Sequence, residues 1–459
     1  MADFPIPRTV RQFATHFSDA GHSLYIVGGA VRDHLLRRAT HDFDFATDAQ
    51  PNEVMGLFHA VIPTGIKHGT VTVLFKGHSY EVTTFRIERE YQDHRHPDEV
   101  VFVRSLEEDL KRRDFTMNAL AVHADSGVLV DLHGGREDLQ NRLIRAIGDP
   151  ESRFSEDALR ILRACRFAAQ LDFSIEERTM DAMKKLSGNL VHISGERVKS
   201  ELFKILESPI PSRGLLAMHA CGALEVLLPE LAAGENVTQK SAHAYDIMYH
   251  GIAACDAVTR NKPLVRLAAL LHDIGKVQAK RITSDGEITF YRHEEHSAKM
   301  AKRIMNRLRC SNDERSTVVN LIRNHMFHYT PDWSDGAVRR FVKRVGADSL
   351  DDLFTLRLAD QDAIHGKPRP EDIIELEKRI YRVLDSSSAL SIHDLAVNGN
   401  DLALIGIPKG PVMGIVLKQL LETVLDDPSE NEYEKLIEIA RNYYEQRIKG
   451  PQDHRSPTS

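Results

Sequence analysis

The run YIVGGAVRDHLLRRATHDFDF, from Tyr25 to Phe45, constrains the fold more than any other part of the chain. A short apolar stretch, Tyr25 to Val27, meets the double glycine Gly28 and Gly29, and a helical pattern carrying Arg32 opens behind it. Downstream, Asp42 and Asp44 alternate with Phe43 and Phe45. Residues two apart on a strand share a face, so the carboxylates point one way and the phenylalanines enter the core. A lone glycine pair is only a tight turn, and a lone D-x-D often just lines the polar face of a strand. In this order and spacing they predict an α/β unit with paired carboxylates beside a glycine-lined helix start. That combination suits a divalent metal and a polyphosphate, as nucleotide transfer requires.

At 459 residues the chain exceeds one ordinary core, and about three domains are expected. With 42% hydrophobic and 28% charged residues it reads as soluble and globular. No run of eighteen apolar residues occurs, and the N-terminus MADFPIPRTV lacks a signal-peptide core, so a cytoplasmic protein without membrane contact is expected. Cys165, Cys221, Cys255 and Cys310 have no paired spacing and read as buried thiols. A net charge of −7 does not advertise nucleic-acid binding, yet 60 lysines and arginines are present and clustered, and local patches decide phosphate contact.

Strand patterns fall at 24–27, 43–47, 71–75, 80–85 and 100–103, with helices around 8–19, 30–38 and 51–59. From about residue 155 the pattern is helical almost throughout. Ser155 is the expected N-cap of a helix whose apolar residues recur through Leu159, Leu162, Cys165 and Phe167. Boundaries are suggested at 148–154, 229–243 and 367–372.

Two further motifs carry chemistry. RRDFTMNAL puts Arg113 and Asp114 at the start of an apolar, helix-like run. A guanidinium grips phosphate as a fork and a carboxylate accepts from a ribose hydroxyl; the alternative is an ordinary surface ion pair. In EDALRILRACR, Asp157, Arg160, Arg163 and Arg166 stand three apart and form a drifting helical stripe. Three arginines on one stripe repel unless anions or carboxylates face them. A guanidinium and a carboxylate can also hydrogen-bond a base edge, selecting a base without a template; the alternative is a solvated, salt-bridged face.

Taken in order, GGAVRD, DFDFAT, EVTTFRIEREY, RRDFTMNA, EDALRILRACRFAAQL and GERVKSELFKIL resemble the class II tRNA nucleotidyltransferases, or CCA-adding enzymes, whose motifs bacterial poly(A) polymerases largely share. The likeness is dense from about 20 to 230 and resumes at 397–426, similar to the tail that grips the tRNA elbow. It implies an α/β nucleotidyltransferase domain of the polymerase-β-like type, a mixed sheet with flanking helices, followed by all-α domains. The implied partners are tRNA, CTP and ATP. Asp42 and Asp44 would bind two Mg²⁺ ions. Gly28, Gly29 and Arg32 would hold the triphosphate, and Arg113 and Asp114 the ribose and phosphates. Asp157 and Arg160 would read the base, supported by Arg163 and Arg166. Glu81 is a candidate supporting carboxylate, and could equally pair with an arginine. Residues 86–103 resemble the family's loop for switching from C to A addition; it looks intact, which favours complete CCA addition. The rivals are a poly(A) polymerase and an enzyme adding only CC or only A.

LLHDIGK places His272 and Asp273 side by side, with His250, His293, His325 and Asp360 around them in sequence. The order H…HD…H…H…D resembles the HD phosphohydrolase superfamily and implies a divalent transition metal held by imidazole and carboxylate. His296 is a second histidine in the same HEEHS stretch as His293. The implied chemistry is hydroxide attack on a phosphoester, such as a 2′,3′-cyclic phosphate or 2′-nucleotide at damaged RNA ends; the alternative is a structural spacer. A chain of another class, an HD phosphohydrolase with a degenerate RNA-binding N-terminal domain, is disfavoured by the intact Asp42, Asp44, Arg113, Asp157 and Arg160. The expected domains are 1–147 catalytic, 148–235 base- and RNA-binding, 236–370 HD-type, 371–450 tRNA-binding and 451–459 a disordered tail.

Overall fold

The computed structural model describes residues 4–40, 42–89, 99–239, 245–365, 370–385 and 391–448. The centre of the expected switching loop (90–98), parts of two expected boundaries and the tail 451–459 lie outside the described residues. The chain forms two compact units. The first comprises residues 1–237, 246–263 and 302–311, and the second 238–245, 264–301 and 312–459.

The first unit is built on a seven-stranded mixed sheet. Its strands are β1 (Leu24–Val27), β2 (Asp44–Thr47), β3 (Val61–Gly65), β4 (Thr70–Phe75), β5 (His78–Thr84), β8 (Leu120–His123) and β9 (Leu129–Asp131), ordered β3-β4-β5-β2-β1-β8-β9. β6 (Arg86–Arg89) and β7 (Glu99–Phe102) form a separate antiparallel pair. Within the seven-stranded sheet only β2 and β5 run parallel, at its centre, in a register that sets Asp44 beside Glu81. Antiparallel pairing of β1 with β2 sets Val27 opposite Asp44, so the chain leaves β1 at Gly28 beside that carboxylate.

Alternation along β2 then divides the core. Phe45 goes to one face, where Phe13 of helix Arg8–Asp19 meets it at 5.2 Å and also contacts Phe58, Phe75 and Tyr80. Ala46 goes to the other, with Val27, Phe85, Leu110, Ala119, Ala121 and Ile147. Asp44 therefore crowns a face closed beneath it by apolar packing.

Two sequence readings are corrected. The run after Asp114 is not helical: a 3-10 turn, Thr116–Asn118, leads into β8. A short apolar run fits a buried strand as well as a helix, and here pairing with both β1 and β9 decides it. Likewise Ser155 lies inside a helix and not at the start of one. Asp149 caps helix Pro150–Glu156, the chain extends at Asp157 (φ −147°, ψ 104°), and helix Leu159–Leu171 begins afresh. The helices Glu177–Leu186, Gly195–Leu206, Pro211–Ala220 and Ile247–Ala257 belong to the same unit.

The second unit is mainly helical, with one antiparallel strand pair, Lys280–Ile282 with Ile288–Phe290. Helix Pro263–Leu271 runs into the HD turn, and Gly275 beyond it makes a close approach: a Cβ there would stand 2.5 Å from both the carbonyl of His293 and the amide of Ser297. Leu402, Val416, Leu420, Leu425, Leu436 and others form a core in its C-terminal part. No helix among the described residues is long and apolar enough to cross a membrane. All four cysteines are buried, and none is in a disulfide.

Candidate active site

A cavity of about 830 Å³ opens above β2 and β5. Gly28, Gly29, Arg32, Asp44, Arg113, Asp114, Asp157, Arg160, Arg163 and Arg166 all line it, together with Glu81. Asp42 stands on the exposed lead-in to β2, close enough to act on the charge of Asp44. Burial raises the Asp44 pKa, Glu81 raises it further, Arg113 partly opposes this, and Asp42 adds to it. Such crowding of carboxylates fits the donor set of a hard divalent cation.

Gly28 is required at its position. Its φ is +71°, and a Cβ there would sit 3.5 Å from a terminal nitrogen of Arg113 and 4.0 Å from Asp44 Oδ2. Arg113 is fixed from behind by Asp109, a fully buried carboxylate that Arg113 meets at 3.2 Å and Arg112 at 2.6 Å.

Opposite, each arginine of the stripe faces a carboxylate. Arg160 meets Glu156 at 2.6 Å, Arg163 meets Asp114 at 2.6 Å and Arg166 meets Glu201 at 2.9 Å. Asp114 accepts from the Phe115 amide (2.8 Å) and Asn118 (3.0 Å) on Oδ1, and from Arg163 on Oδ2. Burial alone would raise its pKa, but Arg163, Asn118 and the Phe115 amide bring it down to about 2. Both oxygens are engaged within the protein, so Asp114 anchors Arg163 first. Asn118, which sequence reasoning passed over, also accepts from Arg32 at 2.8 Å and so ties both motifs together. Asp157 stands outside the helix, accepting from the Leu159 amide at 3.0 Å and from Arg197 at 2.7 Å. Arg197 and Glu201 lie four apart on helix Gly195–Leu206, within the quoted GERVKSELFKIL motif; that spacing was the available signal.

The second unit gathers His272, Asp273, His293, His325 and Asp360. Each histidine directs Nδ1 at the carbonyl three residues back: Ala269 (2.7 Å), Phe290 (2.9 Å) and Ile322 (2.7 Å). A carbonyl only accepts, so Nδ1 carries the proton and Nε2 faces the centre, the arrangement that prepares imidazoles for metal. Nε2 of His272 lies 3.3 Å from Asp273 and 3.4 Å from Asp360, and Nε2 of His293 lies 3.2 Å from Asp273. Burial opposes charge on His272, but Asp273 and Asp360 hold its pKa up to about 10. His325, equally buried and beside His272, is held down to about 3. Asp273, His293 and His325 can together hold an ion. His296 is only partly buried, and His250 lies buried on helix Ile247–Ala257 of the first unit. A cavity of about 330 Å³ adjoins Asp273, His293, His325 and Asp360, and Lys276 and Arg357 also line it.

The family described as Poly A polymerase head domain matches residues 24–145, Probable RNA and SrmB-binding site of polymerase A matches 172–234, and HD domain matches 241–390. The fold is thus that of a nucleotidyltransferase with a poly(A)-polymerase-type head and an HD region. The CCA-adding enzyme of Anoxybacillus flavithermus is 34% identical over 427 residues, covering 92% of this chain and 93% of that protein. That of Leuconostoc mesenteroides is 35% identical over 432 residues, covering 94% of each. A Bacillus stearothermophilus CCA-adding enzyme solved in complex with CTP superposes with a TM-score of 0.72 at 30% identity, over 96% of this chain and 98% of that one. The chain belongs to the family of CCA-adding enzymes.

Proposed function

We propose that this protein adds C, C and A to the 3′ end of tRNA from CTP and ATP, without a template. The observation that carries the reading is the single cavity with the Asp44–Glu81 carboxylates at its floor and Asp157 with three arginines on its wall. Asp42 and Asp44 are the residues that would hold Mg²⁺, with Glu81 in support. When bound there, the two ions would supply activation of the RNA 3′-hydroxyl and charge neutralisation on the departing pyrophosphate. Gly28 and Gly29 present backbone amides to the triphosphate, and Arg32 and Arg113 neutralise it. Asp157 and Arg160 offer acceptor and donor to the Watson–Crick edge of cytosine or adenine. Arg163, held by Asp114, and Arg166, held by Glu201, complete the wall. On this reading 1–147 is catalytic, 148–235 presents base and RNA contacts, 236–370 is HD-type and 371–450 contacts tRNA.

Incubation with tRNA lacking CCA, with CTP and ATP separately and together, tests the proposal on a sequencing gel. Products of +CC with CTP alone and +CCA with both are expected; a long A tail, or extension that stops at CC, would replace it with a rival.

A second activity is supported by the three histidines locked with Nε2 toward Asp273. They suit metal-assisted hydrolysis of a phosphoester in a cavity that Lys276, paired with Asp273, and Arg357, paired with Asp360, also line.

A further inference from the structure

The cavity wall sets an electrostatic problem. Arg32, Arg163 and Arg166 come from two helices and face one cleft. Like charges gathered this closely repel, and a low-dielectric wall strengthens the repulsion. Arg166 registers it: burial pulls its pKa down to about 10, and against the help of Glu201 and Asp114, Arg163 and Arg32 push it the same way. Carboxylates neutralise the cations one by one, Asp33 on Arg32 (2.9 Å), Asp114 on Arg163 and Glu201 on Arg166. These partners come from three separate segments, so they explain the neutralisation but not the convergence.

One group meets all three. The guanidinium carbons of Arg166, Arg32 and Arg163 lie 4.3, 5.1 and 5.8 Å from the centre of the Phe167 ring. All fall within the roughly 6 Å over which a ring's negative face attracts a cation. The ring is itself immobilised, 3% exposed and edge-on to Phe115 at 5.8 Å, next in sequence to Asp114. Helical spacing alone had classed Phe167 with the core residues Leu159 and Leu162.

We propose that Phe167 is a positioning residue for nucleotide recognition, its ring gathering the guanidinium groups of Arg32, Arg163 and Arg166 into one polycationic wall for the incoming nucleoside triphosphate. The inference rests on the nucleotide-transfer reading above. Leucine at 167 fills much of the volume but offers no π-face, so the three cations spread and the triphosphate meets a misaligned wall.

The test uses the full-length protein, CTP affinity by calorimetry, and CMP incorporation into tRNA lacking CCA. Phe167→Leu weakens CTP binding about tenfold or more, while Phe167→Tyr stays within about threefold of wild type. Replacing Phe167 by 4-fluoro-, 3,5-difluoro- and 3,4,5-trifluorophenylalanine withdraws charge from the ring face at nearly constant shape. The logarithm of the CTP dissociation constant then rises with each fluorine at an unchanged melting temperature. A purely packing role predicts a flat series, and that result, or wild-type affinity in Phe167→Leu, overturns the proposal. The fluorinated proteins keep the core filled, so the series stands even where the leucine variant does not fold. If the wild type incorporates no CMP but affinity still falls along the series, the proposed reaction fails and the assignment of Phe167 survives. Normal incorporation with a flat series does the reverse.

Discussion

Asp44 and Asp114 are carboxylates of one cavity in opposite electrostatic settings. Burial, then Glu81 and Asp42, raise the Asp44 pKa against the opposing Arg113, a setting that a bound cation would relieve. Asp44→Ala, or Asp42→Ala, should lower CMP and AMP incorporation by at least about 10²-fold while tRNA binding in a filter assay stays near wild type. Equal incorporation by the variants would remove the carboxylates from the chemistry. Asp114 is ionised and locked, its pKa brought from the ordinary 3.8 to about 2. A depressed carboxylate gives stability that is complete above its unfolded pKa and is lost as pH falls through the folded one. Asp114 therefore contributes about 2 kcal/mol near neutrality, lost between roughly pH 4 and pH 2. In Asp114→Asn the melting temperature should be lower at pH 6 and should fall less steeply with acid across that window; parallel curves would show that the carboxylate's charge does not matter.

The break between helices Pro150–Glu156 and Leu159–Leu171 matters more than either helix alone. An unbroken helix, as the periodicity from Ser155 suggested, would turn Asp157 into one more member of the stripe. The break instead frees its carboxylate to cap Leu159 and receive Arg197. Asp157→Ala should raise UMP and GMP misincorporation more than it weakens tRNA binding. Arg197→Ala should do the same less strongly, because the Leu159 amide still holds the carboxylate. Wild-type fidelity in both would detach base choice from this turn. The strands holding the floor were legible because β1, β2, β4 and β5 alternate or run apolar. The edges were not: β3 contains Pro63 and exposes most of its residues, and β9 is three residues long. Edge strands tolerate both, so neither carries a strong pattern. Partnerships such as Arg166 with Glu201, 35 residues apart, or Arg163 with Asp114, 49 apart, are fixed only by folding. The sequence could say that the arginines needed carboxylates, but not which ones.

At the scale of the molecule, the two side-chain clusters occupy separate compact units. Every residue lining the transfer cavity belongs to the first unit, and Asp273, His293, His325 and Asp360 with their adjoining cavity belong to the second. The histidine centre depends on local devices: each imidazole is set by a carbonyl of its own segment, and Gly275 lets the HD turn approach the chain at His293. Loss of its ligands should therefore stay local. The double variant His272→Ala, Asp273→Ala should bind less divalent metal by elemental analysis and lose metal-stimulated phosphoester hydrolysis. CMP and AMP incorporation should remain within about twofold of wild type, as expected when sites share no side chain. Because the double variant also takes Asp273 from Lys276 (2.6 Å) and His272 from Asp360 (3.4 Å), its melting temperature is measured alongside. Parallel loss of hydrolysis and nucleotide addition would mean that the histidine cluster holds the protein together. Loss of hydrolysis alone would make this chain one that both repairs and extends an RNA end.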